Sequence, residues 1–354
     1  MDNARLIKLR NFLAGRNLDG VIISGSENNC YFSGFTGSAG VLLISGQATK
    51  LITDFRYIEQ ASQEAPDFEV IRHGSSIHET IQAEIAGLGL KRIGFEGSYL
   101  TYDEFSAIKV KELEFVSVKL DDLRMVKDQA EIANIRKAVE ITDLAFSQIL
   151  SVLKPGMTER EAAFELEFFM RKAGAEKLSF DTILVSGTKS ALPHGTPSDK
   201  VIEQGDFVTM DFGALYNGYH ADMTRTIVMG KASAKQREIY KLVLSAQLAA
   251  TKAVKPGLRG KEVDAIARKI IADGGYADYF GHGLGHGVGL AIHEGPRLSP
   301  LGEVVLTPGM VVTVEPGIYL PKWGGVRIED TVVVTADGVD ILTASSKELI
   351  ELDC

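Results

Sequence analysis

Gly205-Asp206-Phe207-Val208-Thr209-Met210-Asp211-Phe212-Gly213 returns 104 positions on (211 to 315) as Gly309-Met310-Val311-Val312-Thr313-Val314-Glu315-Pro316-Gly317. Each copy runs from a turn glycine through an apolar β stretch to one carboxylate, six residues after the glycine. A lone charge at the end of such a strand is costly to bury, so each needs a partner. Asp222 follows Asp211 by eleven residues, in His220-Ala221-Asp222-Met223-Thr224-Arg225-Thr226, and Glu329 follows Glu315 by fourteen, in Val326-Arg327-Ile328-Glu329-Asp330. A return strand after each turn sets the second carboxylate beside the first.

The repeat extends upstream of both copies. Lys154-Pro155-Gly156-Met157 precedes a helical pattern through Phe164, Leu166 and Phe168, and Lys255-Pro256-Gly257-Leu258, an offset of 101 (154 to 255), precedes one through Val263, Ile266 and Ile270. Each half therefore reads as helix followed by β-ribbon, and sites often form where two related halves face each other. Four converging carboxylates repel strongly unless cations neutralise them, and hard oxygen ligands favour manganese, magnesium or cobalt. A glycine-histidine segment supplies the other ligand type: Gly281-His282-Gly283-Leu284-Gly285-His286-Gly287-Val288-Gly289, then Ala291-Ile292-His293-Glu294. Alternate glycines leave room for close approach of backbone or ligand. Any one of these carboxylates alone reads as a solvated turn residue, but the duplicated spacing, with three of the seven histidines inside twelve positions, makes a site the better reading. His73, His78 and His220 read as surface or structural.

Ahead of the repeat, short β-rich runs (Gly20-Val21-Ile22-Ile23-Ser24, Val41-Leu42-Leu43-Ile44, Lys50-Leu51-Ile52-Thr53, Arg92-Ile93-Gly94-Phe95) alternate with helical periods, the first through Leu6, Leu9, Phe12 and Leu13. This reads as a small α/β domain. A long helix, capped at Asp128 with Glu131 three residues on and running through Ile132, Ile135, Val139 and Leu144, opens the second, so the expected domains are 1–123 and 124–354. Across all 354 residues, 45% are hydrophobic and 24% charged, as in a globular protein with a sizeable core. The net charge of −9 disfavours nucleic acid and anionic lipid as partners. Charges within Met1–Lys8 and the lack of any ~18-residue apolar run place the expected site of action in the cytoplasm, away from membranes. Cys30 and Cys354 read as bland thiols, too few for a disulfide framework or a cysteine zinc site.

These residues resemble the pita-bread metallopeptidases, specifically the Xaa-Pro peptidases (Xaa-Pro aminopeptidase and Xaa-Pro dipeptidase, or prolidase), over nearly the whole chain. The resemblance implies an α+β protein, a small N-terminal α/β domain followed by a pita-bread catalytic domain with an internal pseudo-twofold repeat. It implies two divalent ions per subunit, manganese or cobalt first and zinc admissible, held by Asp211, Asp222, His286, Glu315 and Glu329. The family's catalytic histidines match His194 (in Leu192-Pro193-His194-Gly195), His282 and His293, and its arginine two before the last ligand matches Arg327. On a strand, Arg327 and Glu329 face the same side.

Two ions about 3.5–4 Å apart sharing a water lower its pKa until it can attack an amide near neutral pH. In that scheme Asp211 and Glu329 bridge, Asp222 serves one ion, and His286 and Glu315 the other. Glu315 also carries the proton from water to the leaving nitrogen. His194 and His293 stabilise the oxyanion or orient substrate, and Arg327 holds a carboxylate or supports the ligands. A proline nitrogen without a hydrogen is selected by shape. Tyr31-Phe32-Ser33-Gly34-Phe35-Thr36-Gly37-Ser38-Ala39-Gly40 and Thr53-Asp54-Phe55-Arg56-Tyr57 look like aminopeptidase P. Ile292-His293-Glu294-Gly295-Pro296-Arg297-Leu298 looks like microbial prolidases, where Arg297 would bind a dipeptide's C-terminus. Xaa-Pro aminopeptidase is the expected activity on proline-containing peptides, Xaa-Pro dipeptidase the alternative, and a homodimer the expected assembly. Signatures of nucleotide-binding loops, zincins and serine hydrolases are absent. The complete ligand set disfavours a silent binding module of this fold and a metal-free creatinase-like hydrolase.

Overall fold

Leu6, Leu9 and Leu13 fall on one side of the first helix, α1 (Ala4–Ala14), and all three are buried. The computed structural model describes residues 4–353, so Met1–Asn3 of the charged N-terminal stretch and Cys354 lie outside the described residues. Two compact units make up the chain, the second beginning at Met125. The first carries strands β1 (Gly20–Ile23), β2 (Val41–Ser45), β3 (Thr49–Thr53), β4 (Glu69–Arg72), β5 (Arg92–Glu96) and β6 (Glu114–Val118), with helices α2 (Ser26–Ser33), α3 (Ile58–Glu64), α4 (Ile77–Gly87) and α5 (Tyr102–Ile108). One six-stranded sheet results, in the order β4-β3-β2-β1-β5-β6, antiparallel across β1-β2-β3 and parallel elsewhere. Ile22, Leu43, Ile52, Ile81, Ile85 and Ile93 form its core, as the alternation of β runs with helical periods requires.

The second unit opens with α6 (Gln129–Ile149), whose capping box is Asp128 with Glu131. After it come α7 (Glu159–Lys172), β7 (Lys177–Leu178), β8 (Ile183–Ser186), β9 (Phe207–Phe212), β10 (Ala214–Tyr216), β11 (Tyr219–His220) and β12 (Met223–Met229). The second half continues with α8 (Ala234–Ala253), α9 (Gly260–Asp273), β13 (Gly285–Gly287), β14 (Glu294–Leu298), β15 (Val311–Val314), β16 (Gly317–Leu320), β17 (Gly324–Arg327), β18 (Asp330–Val334), β19 (Val339–Ile341) and β20 (Glu351–Leu352). The duplicated stretches fold as two long hairpins. In the first, β9–β10 returns as β11–β12 in one register, with Leu215 across from His220 and Asp211 across from Thr224. Its turn, Asn217-Gly218, takes φ of 47° and 75°, the two left-handed residues of a tight hairpin. In the second, β15–β16 returns as β17–β18, with Val314 across from Asp330 and Gly317 across from Arg327.

Each hairpin has its own helical cover. Leu166 and Met170 of α7 and Ile141 and Phe146 of α6 pack with Val208, Met210 and Phe212, while Val243 of α8 and Val263 and Ala267 of α9 pack with Val312, Val314 and Val332. The repeat shows even in isolated bridges, Thr158 with Val201 in one half and Arg259 with Val305 in the other. The sequence reading of α7 needs one correction: Leu166 is buried, but Phe164 and Phe168 are 68% and 49% exposed, because Ala162, Ala163, Leu166 and Met170 make the inward face. Leu144 of α6 likewise faces out.

Candidate metal centre

The two hairpins meet through a short run of hydrogen bonds. Glu329 N–H donates to Thr224 O at 3.1 Å, Thr226 Oγ1 donates to Arg327 O at 2.9 Å, and Thr331 Oγ1 donates to Asp222 O at 2.8 Å. These bonds lay Glu329 against the strand that carries Asp222 and faces Asp211. His286 comes from β13, beside β15, and its Nε2 lies 3.4 Å from Asp222 Oδ2 and 3.5 Å from Glu315 Oε1. Its Nδ1 sits 3.1 Å from Gly287 O, which leaves Nε2 as the nitrogen facing the carboxylates. One ligand atom from each of Asp222, His286 and Glu329 lies within 4.8 Å of the others.

So many carboxylates in one place strain their own ionisation. Burial, then the neighbouring Asp211 and Glu315, pushes Asp222 well above the usual carboxylate range; burial and the other three carboxylates do the same to Glu329. Glu315 is raised too, chiefly by burial, with His286 and Arg327 opposing. Arg327, 3% exposed, is the cation that answers them: Nη2 donates to Asp211 Oδ2 at 2.6 Å, Nε to Thr224 Oγ1 at 3.0 Å and Nη1 to Tyr319 OH at 2.9 Å. One guanidinium does not balance four carboxylates.

Two buried oxygens, Asp211 Oδ1 and Glu329 Oε1, have no hydrogen-bond partner among the described residues. Orphaned buried acceptors are rare in folded proteins and call for an explanation such as an ion. Here both belong to carboxylates of a hard-oxygen and imidazole donor set, the chemistry that takes divalent cations. The residues present fit a metal centre.

The remaining candidates occupy different depths. His282 is held between Gly283 O (Nδ1, 2.8 Å) and Tyr319 OH (Nε2, 2.9 Å). A neutral ring protonated at Nδ1 satisfies both contacts while Tyr319 OH accepts from Arg327 and donates to Nε2. Burial agrees, pushing His282 down to about 4. His293, exposed on its outer side, packs edge-on against His286, ring centroids 4.3 Å apart, and is lowered to about 4 by desolvation of its covered side and then by His286. His194 is exposed on a loop, near enough to act electrostatically on both His282 and His293. Arg297 of β14 pairs with His286 in the β13–β14 ladder, so the two side chains leave one face, and Arg297 is exposed. His220 rests against Gly289 O at 3.1 Å, and His73 against Gly74 O at 2.8 Å.

Sequence reasoning missed the supports. Thr224 bridges Arg327 to Glu329, to which it donates at 2.7 Å, and Thr313 donates to Glu315 at 3.3 Å while accepting from His286 N–H. Both were findable, since each lies two positions from a carboxylate of the cluster and so on its face of the strand. Tyr319 carried no such signal; only the hairpin register brings it to Arg327.

Residues 133–336 match the model of metallopeptidase family M24, and residues 5–126 match the creatinase/prolidase N-terminal domain. A Xaa-Pro dipeptidase of Pyrococcus horikoshii is 44% identical over 98% of this chain and 99% of its own. Among solved structures, a Xaa-Pro dipeptidase from Bacillus anthracis matches with a TM-score of 0.96 at 48% identity, over 98% of this chain and 99% of that one. An X-Pro aminopeptidase from Thermotoga maritima matches with a TM-score of 0.91 at 41% identity, over 98% of this chain and 99% of that one. The chain belongs to metallopeptidase family M24, with a creatinase/prolidase N-terminal domain ahead of a pita-bread catalytic domain.

Proposed function

We propose that this metallopeptidase is a Xaa-Pro exopeptidase that releases the residue preceding proline, and that dipeptides are its preferred substrates. The observation that carries the reading is the pair of orphaned carboxylate oxygens, Asp211 Oδ1 and Glu329 Oε1, inside a cluster completed by Asp222, Glu315 and His286. Asp211, Asp222, His286, Glu315 and Glu329 would together hold two divalent ions, manganese or cobalt. When bound, such ions supply Lewis-acid polarisation and a water that ionises near neutral pH. Glu315 takes the proton from the attacking water and passes it to the proline nitrogen as the bond breaks, a task open to a carboxylate held beside the nucleophile. His293 and the exposed His194 orient the scissile carbonyl and donate to its developing oxyanion. Arg327 holds Asp211 from behind, and His282 steadies Arg327 through Tyr319.

The dipeptide preference rests on Arg297, an exposed cation on the face of β14 shared with His286, suited to a free C-terminal carboxylate. Relatives named Xaa-Pro dipeptidase support it; the Thermotoga maritima X-Pro aminopeptidase supports cleavage of longer peptides as the second reading. The test compares Ala-Pro with Ala-Pro-Ala on metal-stripped enzyme, with and without added Mn²⁺ or Co²⁺. Metal-dependent cleavage of Ala-Pro alone is expected, with Arg297→Ala raising KM. Cleavage of the tripeptide as fast as the dipeptide would overturn the preference, and no cleavage of either would overturn the activity. The proposal includes a cytoplasmic homodimer, which light scattering and cell fractionation check; no described helix is long and apolar enough to cross a membrane.

A further inference from the structure

His194 is an exposed residue on an irregular loop, yet its assigned task needs a fixed position. The loop leaves β8 at Ser186 and returns to ordered pairing near Lys200. Its two ends are joined by one side chain of another element: Glu159, the first residue of α7, wholly buried. Glu159 Oε1 accepts from Ser186 N–H at 2.8 Å and from Ser186 Oγ at 3.1 Å. Glu159 Oε2 accepts from Ser198 N–H at 3.1 Å, from Ser198 Oγ at 2.8 Å and from Lys189 Nζ at 2.5 Å. Lys189 in turn donates to Thr196 O at 3.1 Å and to Ser198 Oγ at 2.7 Å. One carboxylate at a helix N-terminus, where the backbone favours a negative charge, therefore ties Ser186 to Ser198 across the base of the loop. Its lysine partner reaches a carbonyl two residues from His194.

A second set of contacts fixes the other flank. Ser190 Oγ accepts from Gly325 N–H at 2.8 Å and donates to Gly187 O at 2.6 Å, which fastens the loop to the hairpin that carries Tyr319 and Arg327. A side chain at Gly325 would meet Ser190 O at 2.3 Å, and one at Gly195 would meet Val185 at 2.8 Å, so the loop lies close on both sides of its histidine. None of these groups reaches the carboxylate cluster. Glu159 is buried and fully hydrogen-bonded while Lys189 keeps 27% of its side chain exposed; such a pair is weak evidence for stability, and a role in specifying one conformation is the better-attested use.

We propose that the Glu159–Lys189 pair is a staple that positions His194 for catalysis; the inference rests on the reading that His194 acts on the substrate. Glu159 and Lys189 are positioning residues, since neither touches substrate. The test uses the full-length, manganese-loaded enzyme with Ala-Pro. Glu159→Gln and Lys189→Met should each lower kcat by about 10- to 100-fold, the scale of a small misplacement of a catalytic group, with bound manganese unchanged. Lys189→Arg, which keeps the cation, should retain most of the rate. In a His194→Ala background, Glu159→Gln should lower kcat no further, because a staple with nothing to hold has no effect on turnover. If His194→Ala alone leaves kcat unchanged, the assigned role of His194 fails and the staple falls with it. If His194→Ala lowers kcat but Glu159→Gln multiplies that loss, expels manganese or leaves turnover untouched, the role of His194 stands and the staple is overturned. Should Glu159→Gln not fold, Ser198→Ala, which removes one arm of the staple, is judged by the same outcomes.

Discussion

The first and second hairpins are built alike and equipped differently. Both run without a break in register from turn glycine to tip and back, both have a flanking strand on the outer edge of their first arm, and both lie under a pair of helices. Yet Glu315 stands directly across from Glu329, whereas Asp211 faces Thr224 and Asp222 lies two residues further along the same face. The flanking strands differ more. β13 offers His286 beside Thr313, and at the matching place beside Thr209, β8 offers Val185. A duplicated scaffold therefore supplies four carboxylates and a strand threonine, Thr209 or Thr313, at related places, while the imidazole of His286 belongs to one half only. Symmetry made the site's outline, and departure from symmetry gave it a direction, with its nitrogen donor, His286, carried by the strand beside β15.

The carboxylates that the halves share should be the most sensitive to change. Asp211→Asn keeps the size and the strand but removes one of the charges; kcat on Ala-Pro should fall by more than about 1,000-fold, with the circular-dichroism spectrum and melting transition essentially unchanged. Turnover at a tenth of the wild-type rate would show that the first hairpin contributes scaffold and little chemistry. Next in size is the difference between the two flanking strands. His286→Ala should lose bound metal, read by mass spectrometry or elemental analysis. Val185→Ala, at the equivalent address and wholly buried, should keep its metal and lose about 2 kcal/mol of stability. Equal metal loss in both would mean that the asymmetry is not functional.

Much of this outline was legible in the residues. The spacing from turn glycine to carboxylate, and the return of Asp222 and Glu329, required only that strands alternate and hairpins fold back. The capping box at Asp128 was read in full, because a cap is a local pattern. What escaped notice depended on non-local register. Tyr319 reaches His282 and Arg327 because the second hairpin closes around Lys322, whose φ is 63°, and no pattern of residue types announces that closure. The diagonal placement of Asp211 and Asp222 escaped for the same reason, since either register leaves both carboxylates on one face. Glu159 and Lys189, thirty residues apart, belong to no motif in the sequence, and only the fold brings them together.

The buried relay makes a smaller, pH-dependent contribution. His282 ordinarily titrates near 6.5 and is lowered to about 4 in the fold, with Arg327, Arg268 and His194 adding to the effect of burial. Between those values the unfolded chain binds a proton that the folded chain refuses. Stability therefore falls as pH drops from about 6.5 to about 4, then levels. His282→Gln, measured with metal bound in both proteins, should show a shallower decline across that window. An unchanged slope would place the pH dependence in other groups and loosen the link between His282 and the second hairpin.

The least effect is expected at Phe164, on the helical cover of the first hairpin. On α7, Leu166 is wholly buried, and on α9 the position 101 residues on is Ala267, also wholly buried. The larger side chain fills space in the first half, so Leu166→Ala should cost about 2–5 kcal/mol, as buried leucines do when no neighbour can collapse into the gap. Phe164 lies two residues away and looks just as hydrophobic in the sequence, but it is 68% exposed. Replacing it by serine removes little contact from the core, and a surface change of this kind stays within about 0.5 kcal/mol. Thermal melts of the two variants, in otherwise identical protein, separate burial from composition. If Phe164→Ser destabilised the fold as much as Leu166→Ala, the phenylalanine would have to be covered in solution, and the outward face of α7 would be an interface that its counterpart α9, with Ala265 and Lys269 at the positions of Phe164 and Phe168, does not share.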